Sequence, residues 1–243
     1  MYLESLGGLR AQIVGGPDHA GGGTGPMVVL LHGFGAPGDD LVPLWKVLRV
    51  PDEVRFVFPV GPLALDGGLH GGRAWWRLDM ERIARDVASG RGRDVRAVPP
   101  GLSEARASIV AVLDELEQRW NITSDHIFLG GFSQGAMLAC DTVLRADRPF
   151  AGLILLSGSL IAKDEWLSFM PNRKGLPVFQ SHGTDDPLLP FETAKDLRDT
   201  MINQGIPVEW HEFRGGHEIP FFVLEHLGQF LRRHLITLTD SAS

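Results

Sequence analysis

Cysteine and long apolar runs are both scarce in this sequence. Its 243 residues include one cysteine, Cys140, so an internal disulfide framework is excluded. A lone thiol in an apolar helical pattern is typical of a buried, unreactive side chain, and it favours a reducing, cytoplasmic location. Apolar runs such as MVVLL at 27–31 are far too short to cross a membrane. The first residues also lack a basic start followed by an apolar segment, so we expect neither export nor stable membrane insertion.

An excess of basic charge is also lacking. The chain has 23 basic and 30 acidic residues, and the resulting net charge of -7 disfavours a nucleic-acid partner. With 44% hydrophobic residues it can bury one sizeable core, so we predict a single domain over residues 1–243. Residues 81–100 contain five arginines and no aromatic residue, which predicts an exposed insertion. A basic lip that binds a ligand is the alternative for this stretch.

Short runs rich in Val, Ile, Leu and Phe alternate with helical patterns along the chain. Strands are predicted at 27–31, 54–60 and 126–131, and from Phe150, Leu176 and Ile206. Helices are predicted at 40–48, 103–120, 134–145, 190–203 and 219–234, with Ser103 as the N-cap of the second. This alternation predicts an α/β fold with a mostly parallel central sheet and helices on both faces. Ligands of such sheets bind at the carboxyl ends of the strands.

A serine lies between glycines at one predicted strand-to-helix junction. Residues 131–135, GFSQG, match the GxSxG pattern, in which a sharp, strained turn exposes the serine hydroxyl above the sheet. The pattern in this context predicts Ser133 as a nucleophile. The backbone N–H of Gln134 begins the next helix and points to where negative charge forms on an attacked carbonyl. A tight glycine turn with a serine cap is the alternative interpretation.

A serine nucleophile requires a base and an acid, in the chain order Ser, Asp or Glu, His. Asp185 and Asp186 follow the strand that begins at Leu176, and His217 follows the strand that begins at Ile206. Chemistry alone does not separate the two aspartates, and either could instead form an Asx-turn. His217 could likewise be a plain helix-start residue. His32 and His182, which precede glycines at strand ends, are weaker rivals for the base.

The loop after the first predicted parallel strand, HGFGAPGDDL at 32–41, is rich in glycine. Its glycines let backbone amides approach a substrate oxygen, which makes the N–H of Phe34 the natural second oxyanion donor. Asp39 and Asp40 are predicted to cap the following helix. The loop has neither the lysine and Ser or Thr of a P-loop nor the GxGxxG spacing, so nucleotide binding is disfavoured.

Together these motifs resemble the α/β-hydrolase superfamily, and more closely its carboxylesterase, phospholipase and acyl-protein thioesterase branch. The segments HGFGAPGDDL, RAWW, GGFSQGAMLA, LILLSGSL, HGTDDPLLP and GGHEIP follow the order of that branch from about Met27 to Phe230. The resemblance implies a Ser133 nucleophile, a His217 base and, from the HGxxD pattern, Asp186 as the orienting acid. It also implies an oxyanion hole formed by the amides of Phe34 and Gln134.

The resemblance further implies an acyl pocket that includes Trp75, Trp76 and Leu188, although at least one tryptophan could instead belong to the core. It implies hydrolysis of small to medium carboxylic esters through an acyl-enzyme, with no metal or organic cofactor. Acyl-protein thioesterase and lysophospholipase activity are the alternatives, and a non-catalytic ligand-binding member of the fold is a third. The expected partner is a small-molecule ester or thioester; whether the protein is a monomer or a dimer is left open. Ala136, where the branch often has a third glycine, departs from the pattern.

Overall fold

A single eight-stranded sheet organises the computed structural model, which describes residues 2–65, 71–79, 94–240 and the isolated positions Glu81 and Arg85. Its strands are β1 (Tyr2–Leu6), β2 (Leu9–Gly15), β3 (Met27–Leu31), β4 (Arg55–Pro59), β7 (Ile127–Phe132), β8 (Gly152–Leu156), β9 (Val178–Gly183) and β10 (Val208–Phe213). Two very short strands, β5 (Leu63–Ala64) and β6 (Arg73–Ala74), form a separate antiparallel pair. The helices are α1 (Leu44–Val47), α2 (Leu102–Trp120), α3 (Gln134–Arg145), α4 (Lys163–Phe169), α5 (Phe191–Asn203) and α6 (Phe221–Asp240), with 3₁₀ turns at Ser124–His126 and Met170–Arg173.

The sheet is mostly parallel, as predicted. Its strand order is β1-β2-β4-β3-β7-β8-β9-β10. All pairings from β4 to β10 are parallel, whereas β1 and β2 form an antiparallel hairpin that joins β4 at the edge. Gly7 and Gly8 form the hairpin turn with φ of 55° and 80°, values that glycine adopts without steric cost. The sequence analysis did not predict this hairpin.

Helices cover both faces of the sheet, which confirms the predicted layers. On one face α2, α3, α4 and α5 pack against side chains such as Val29, Leu129 and Leu155. On the other face α6 and the region of α1 pack against the alternate residues of the same strands, including Val28 and Phe128. Strands buried on both faces have nearly continuous apolar sequences, and these strands could therefore be predicted from the sequence.

Two predicted helix starts are wrong. Helix α2 begins at Leu102, and Gly101, with φ of 87°, occupies the cap position instead of Ser103. The Ser103 hydroxyl donates to the carboxylate of Glu104 rather than to a backbone amide. Helix α1 is only four residues long and its cap position is Pro43, so Asp39 and Asp40 lie at the start of the preceding turn and do not cap the helix.

The arginine-rich stretch at 81–100 lies mostly outside the described residues. Its last seven residues, 94–100, are described and are exposed or half-buried. The carbonyl of Val95 accepts a hydrogen bond from the Lys163 N–H at 2.9 Å, so this end of the stretch is joined to the start of α4. Within the described part of the chain, no helix has the length and apolar content needed to span a bilayer.

Candidate active site

Ser133 occupies the sharp turn between β7 and α3. Its backbone has φ of 56° and ψ of -117°, a combination that a residue with a Cβ adopts only under strain. The Ser133 N–H donates to the Leu156 carbonyl at 2.9 Å, and the Ser133 carbonyl accepts from the Met137 N–H at 3.1 Å. The neighbouring strand and the first turn of α3 therefore hold the strained residue in place at the carboxyl end of β7.

The glycines on either side of Ser133 are required by close backbone contacts. A Cβ on Gly131 would lie 2.5 Å from the Leu31 carbonyl oxygen, and a Cβ on Gly135 would lie 2.0 Å from the same atom. Both distances are far below van der Waals contact. Strands β3 and β7 and helix α3 thus approach one another so closely beside the serine that only glycine fits at these two positions.

His217 and Asp186 are joined by a direct hydrogen bond. The Nδ1 atom of His217 lies 2.7 Å from Oδ2 of Asp186, and the two side chains are 11% and 0% exposed. Because a carboxylate only accepts, Nδ1 carries the proton and Nε2 is left free to accept one. The ring of His217 also packs on the ring of Phe132, with 4.7 Å between centroids. His217 therefore lies beside the residue that directly precedes Ser133.

Backbone contacts between two loops bring Asp186 and His217 together. The Thr184 N–H donates to the Phe213 carbonyl at 2.8 Å, and the Asp185 N–H donates to the Gly215 carbonyl at 3.0 Å. These bonds extend the pairing of β9 and β10 past the ends of the strands. The Asp186 side chain turns inward to His217, whereas Asp185 is exposed. The structure thus brings Asp186, and not Asp185, to the histidine.

The carboxylate of Asp186 is held in its charged form. Its Oδ1 atom accepts hydrogen bonds from the N–H groups of Leu188 at 2.8 Å and Leu189 at 2.9 Å. Burial acts to raise the pKa of Asp186, but the hydrogen bonds from His217 and from these two amides outweigh it and lower the pKa below its ordinary value. The carboxylate can therefore orient His217 without taking its proton.

The rival histidines are both engaged by backbone groups. His32 is buried; its Nδ1 atom donates to the Gly33 carbonyl at 2.7 Å, and Nε2 accepts from the Gly61 N–H at 2.9 Å. His182 is also buried, and its Nε2 atom donates to the Leu189 carbonyl at 2.9 Å. Burial lowers the pKa of both rings, so both are neutral.

The backbone amides of Gln134 and Phe34, which the sequence predicts as oxyanion donors, follow the carboxyl ends of β7 and β3. Their role stays a prediction. Gln134 is the first residue of α3, so its N–H has no acceptor within the helix. Phe34 lies in the turn after β3, where Gly35 and Ala36 use their amides in hydrogen bonds to Arg73 and Gly33. Among the hydrogen bonds of the described residues, the Phe34 N–H has none.

The three residues expected around the acyl group have very different environments. Trp75 and Trp76 are 2% and 1% exposed and belong to the core on the α3 side of the sheet, whereas Leu188 is 61% exposed. The Trp75 indole N–H donates to the His32 carbonyl at 2.9 Å. Contact of these residues with an acyl group stays a prediction.

Sequence reasoning missed one buried side chain at the site, that of Gln134. Its Oε1 atom accepts from the Trp75 N–H and its Nε2 atom donates to the Trp76 carbonyl. No local pattern connects a glutamine with a backbone segment 58 residues away. Cys140, in contrast, is buried as expected, and burial raises the pKa of its thiol. In the residues that the structure describes, no three or more His, Cys, Asp or Glu side chains form a group suited to a metal ion.

Comparison with known families identifies the class of protein. Residues 20–235 match the Phospholipase/Carboxylesterase family, which covers most of the chain. The chain therefore belongs to this family and is a serine hydrolase of the carboxylesterase class.

Individual relatives show the same likeness. The acyl-protein thioesterase 1 of Kluyveromyces lactis is 30% identical over 221 residues, which cover 86% of this chain and 92% of that protein. A probable carboxylesterase of Oryza sativa subsp. japonica is 27% identical over 240 residues, covering 94% of this chain and 85% of that protein. The crystal structure of esterase PE8 superimposes with a TM-score of 0.78 at 28% identity, covering 93% of this chain and 98% of that one. The α/β-hydrolase fold predicted from the sequence is thereby confirmed.

Proposed function

We propose that this protein hydrolyses carboxylic esters with small to medium acyl groups, with Ser133 as nucleophile, His217 as base and Asp186 as orienting acid. The observation that carries the proposal is the 2.7 Å hydrogen bond between His217 and Asp186 beside the strained turn of Ser133. The bond keeps the proton on Nδ1 of His217. The Nε2 atom is then the group available to accept a proton from the serine hydroxyl.

In the first half of the reaction, the Ser133 oxygen attacks the ester carbonyl carbon while its proton moves to Nε2 of His217. The carbonyl electrons move to the oxygen, and the amides of Phe34 and Gln134 stabilise the negative charge that forms there. The tetrahedral intermediate collapses when the bond to the alcohol breaks, and His217 gives its proton to that leaving group. The product of this half is an acyl-enzyme on Ser133.

In the second half, water attacks the acyl-enzyme and loses its proton to His217. The same two amides stabilise the second tetrahedral intermediate, and its collapse releases the acid and returns the proton to Ser133. Asp186 remains charged throughout, because the hydrogen bonds that it accepts lower its pKa. Every proton is exchanged among substrate, water, Ser133 and His217, so the cycle uses no cofactor.

A thioester substrate is the second candidate. It is favoured by the relatives named acyl-protein thioesterase 1, one of which is 30% identical to this chain. The chemistry is the same with a thiol as the leaving group, so the triad does not distinguish the two. We keep esters as the main proposal because a probable carboxylesterase and an esterase structure match a larger share of the chain. A cytoplasmic location stays a prediction.

The test is kcat/KM for p-nitrophenyl esters from acetyl to palmitoyl and for matched acyl thioesters, with Ser133→Ala measured in parallel. We expect the alanine variant to lose at least about 10³-fold in kcat, since water alone must then attack. A maximum at short acyl esters supports the main proposal, and a preference for long acyl thioesters supports the second candidate. Turnover by Ser133→Ala equal to that of the wild type would overturn both.

A further inference from the structure

The side chain of Gln134 is fixed to a single backbone segment by both of its polar atoms. Gln134 is 1% exposed; its Oε1 atom accepts from the Trp75 N–H at 3.0 Å, and its Nε2 atom donates to the Trp76 carbonyl at 2.9 Å. A buried amide without partners is costly, so these two bonds determine where the segment lies relative to α3. Gln134 thus connects the start of α3 to Trp75 and Trp76.

The same segment is bonded on its other side to the loop that carries Phe34. The Gly35 N–H donates to the Arg73 carbonyl at 2.8 Å, and the Arg73 N–H donates to the Ala36 carbonyl at 2.9 Å. These bonds hold Gly35 and Ala36, the two residues that follow Phe34, against Arg73. Residues 73–76 and four hydrogen bonds therefore connect the Gln134 side chain with the turn that presents the Phe34 amide.

Packing leaves this connection little freedom. A Cβ on Gly72 would lie 2.8 Å from the Gly35 carbonyl oxygen, so residues 72 and 35 have their backbones in direct contact. The Trp75 indole N–H adds a bond to the His32 carbonyl, at the start of the same loop. A displacement of Trp75 and Trp76 would therefore be transmitted to the Phe34 turn rather than absorbed between them.

We propose that the Gln134 side chain is a positioning residue that sets the spacing between the two oxyanion donors, its own backbone N–H and that of Phe34. The inference rests on the proposed function, because it requires these two amides to bind the developing negative charge. The Gln134 N–H survives any substitution except proline, whereas the side chain that positions Phe34 does not. Its loss therefore weakens transition-state binding and leaves ground-state binding unchanged.

The test uses Gln134→Met, which preserves length and volume but removes both hydrogen bonds. We expect kcat to fall by about 10- to 100-fold with KM within about threefold, because one misplaced oxyanion donor costs that much or more. An alkyl trifluoromethyl ketone supplies the second readout: the Ser133 oxygen adds to its carbonyl, the proton moves to His217, and a hemiketal oxyanion forms in the hole. Its inhibition constant should rise by the same factor as kcat falls.

Gln180→Met is the matched control, since Gln180 is also fully buried and bonds the Ala194 carbonyl at 2.9 Å. It should cost stability without changing the inhibition constant of the ketone. If Gln134→Met does not fold, Gln134→Asn gives the same comparison, because its shorter side chain cannot reach both Trp75 and Trp76. Folding is checked by thermal melting of each variant.

The outcomes separate this inference from the proposed function. A wild-type protein that the ketone inhibits, with unchanged kcat and inhibition constant in the folded Gln134 variant, overturns the inference alone. An equal change in the Gln180→Met control overturns it too, because the effect would then reflect general loss of packing. A wild-type protein that the ketone does not inhibit, together with full turnover by Ser133→Ala, overturns the proposed function and the inference with it.

Discussion

His182 and Asp186 face each other with both side chains completely buried, and the Nε2 atom of His182 lies 3.3 Å from Oδ2 of Asp186. The proton on this nitrogen is fixed by a shorter bond, of 2.9 Å, to the Leu189 carbonyl. The same Leu189 donates its N–H to the carboxylate of Asp186. His182 therefore supports the proposed orienting acid directly and through the loop that supplies its amide donors, while among the described residues its Nδ1 atom has no hydrogen-bond partner.

Substitutions of His182 should lower kcat by an amount that depends on whether the new side chain has a nitrogen at the position of Nε2. We expect His182→Phe to lower kcat about tenfold, the cost of one lost hydrogen bond of roughly 1.4 kcal/mol. His182→Gln should keep most activity, because its amide nitrogen occupies the place of Nε2. His182→Asn is the control, since its amide lies at the Nδ1 position. Equal kcat for the Gln and Asn variants would contradict this role.

The two neighbouring aspartates should differ sharply in steady-state kinetics. Asp186→Asn replaces the acceptor of the His217 proton by a group that favours the wrong tautomer, so kcat should fall by about 10³- to 10⁴-fold. Asp185→Asn alters an exposed side chain and should change kcat less than about threefold. Both variants carry the same change of charge, so net charge is controlled. A larger loss in Asp185→Asn would move the role to Asp185.

Stability should fall on mild acidification, in part because of His32. Burial lowers the pKa of His32 below its ordinary value of 6.5, and protonation of Nε2 would direct an N–H against the Gly61 N–H. The unfolded chain therefore binds more protons, so the His32 contribution is complete above about pH 6.5 and is lost as the pH falls towards its folded pKa.

The measurement is urea unfolding at pH 8 and pH 5.5, for the wild type and for His32→Gln. The glutamine oxygen can still accept from Gly61 but does not titrate in this range. We expect the variant to lose less of its free energy of unfolding than the wild type does between the two pH values. Equal losses would show that His32 is not responsible.

Breaking a buried ion pair away from the site should strongly destabilise the layer formed by α2, α3 and α4. The fully buried carboxylate of Asp141 accepts from Arg106 and from the Trp166 indole N–H. Arg106→Met leaves this charge without its cation and should destabilise the fold by about 3 kcal/mol or more in urea unfolding. The double variant with Asp141→Leu should regain part of that loss. Lys195→Met, which breaks an exposed pair with Glu192, should cost less than about 1 kcal/mol.

The parallel strands could be predicted because burial on both faces makes their sequences continuously apolar. The hairpin of β1 and β2 could not, since the edge strand β1 has exposed positions at Leu3 and Ser5, and β2, although mostly buried, includes the polar residues Arg10 and Gln12. The start of helix α2 was also predicted wrongly. Ser103 has a favourable cap side chain, but the chain direction before α2 requires the positive φ of Gly101, and glycine decides that position.

At the site, chain order and strand ends were enough to nominate Ser133 and His217. The distinction between Asp185 and Asp186 depends on how the loop after β9 bonds to the loop after β10, and adjacent residues in a turn face different directions. The position of the Gln134 side chain depends on hydrogen-bond partners that are 58 and 59 residues away, and no spacing rule connects residues so far apart. Local patterns therefore identify chemical groups, whereas long-range hydrogen bonds decide which of them meet.

The strained backbone at Ser133 determines how substitution of this residue would change the stability of the protein. A φ of 56° with ψ of -117° suits glycine, and any residue with a Cβ adds a strain of about 1–3 kcal/mol there. Ser133→Gly should therefore fold into a more stable but inactive protein. Screens that reward thermal stability or expression alone will favour loss of the nucleophile, so efforts to make this protein more robust have to select for turnover at every round.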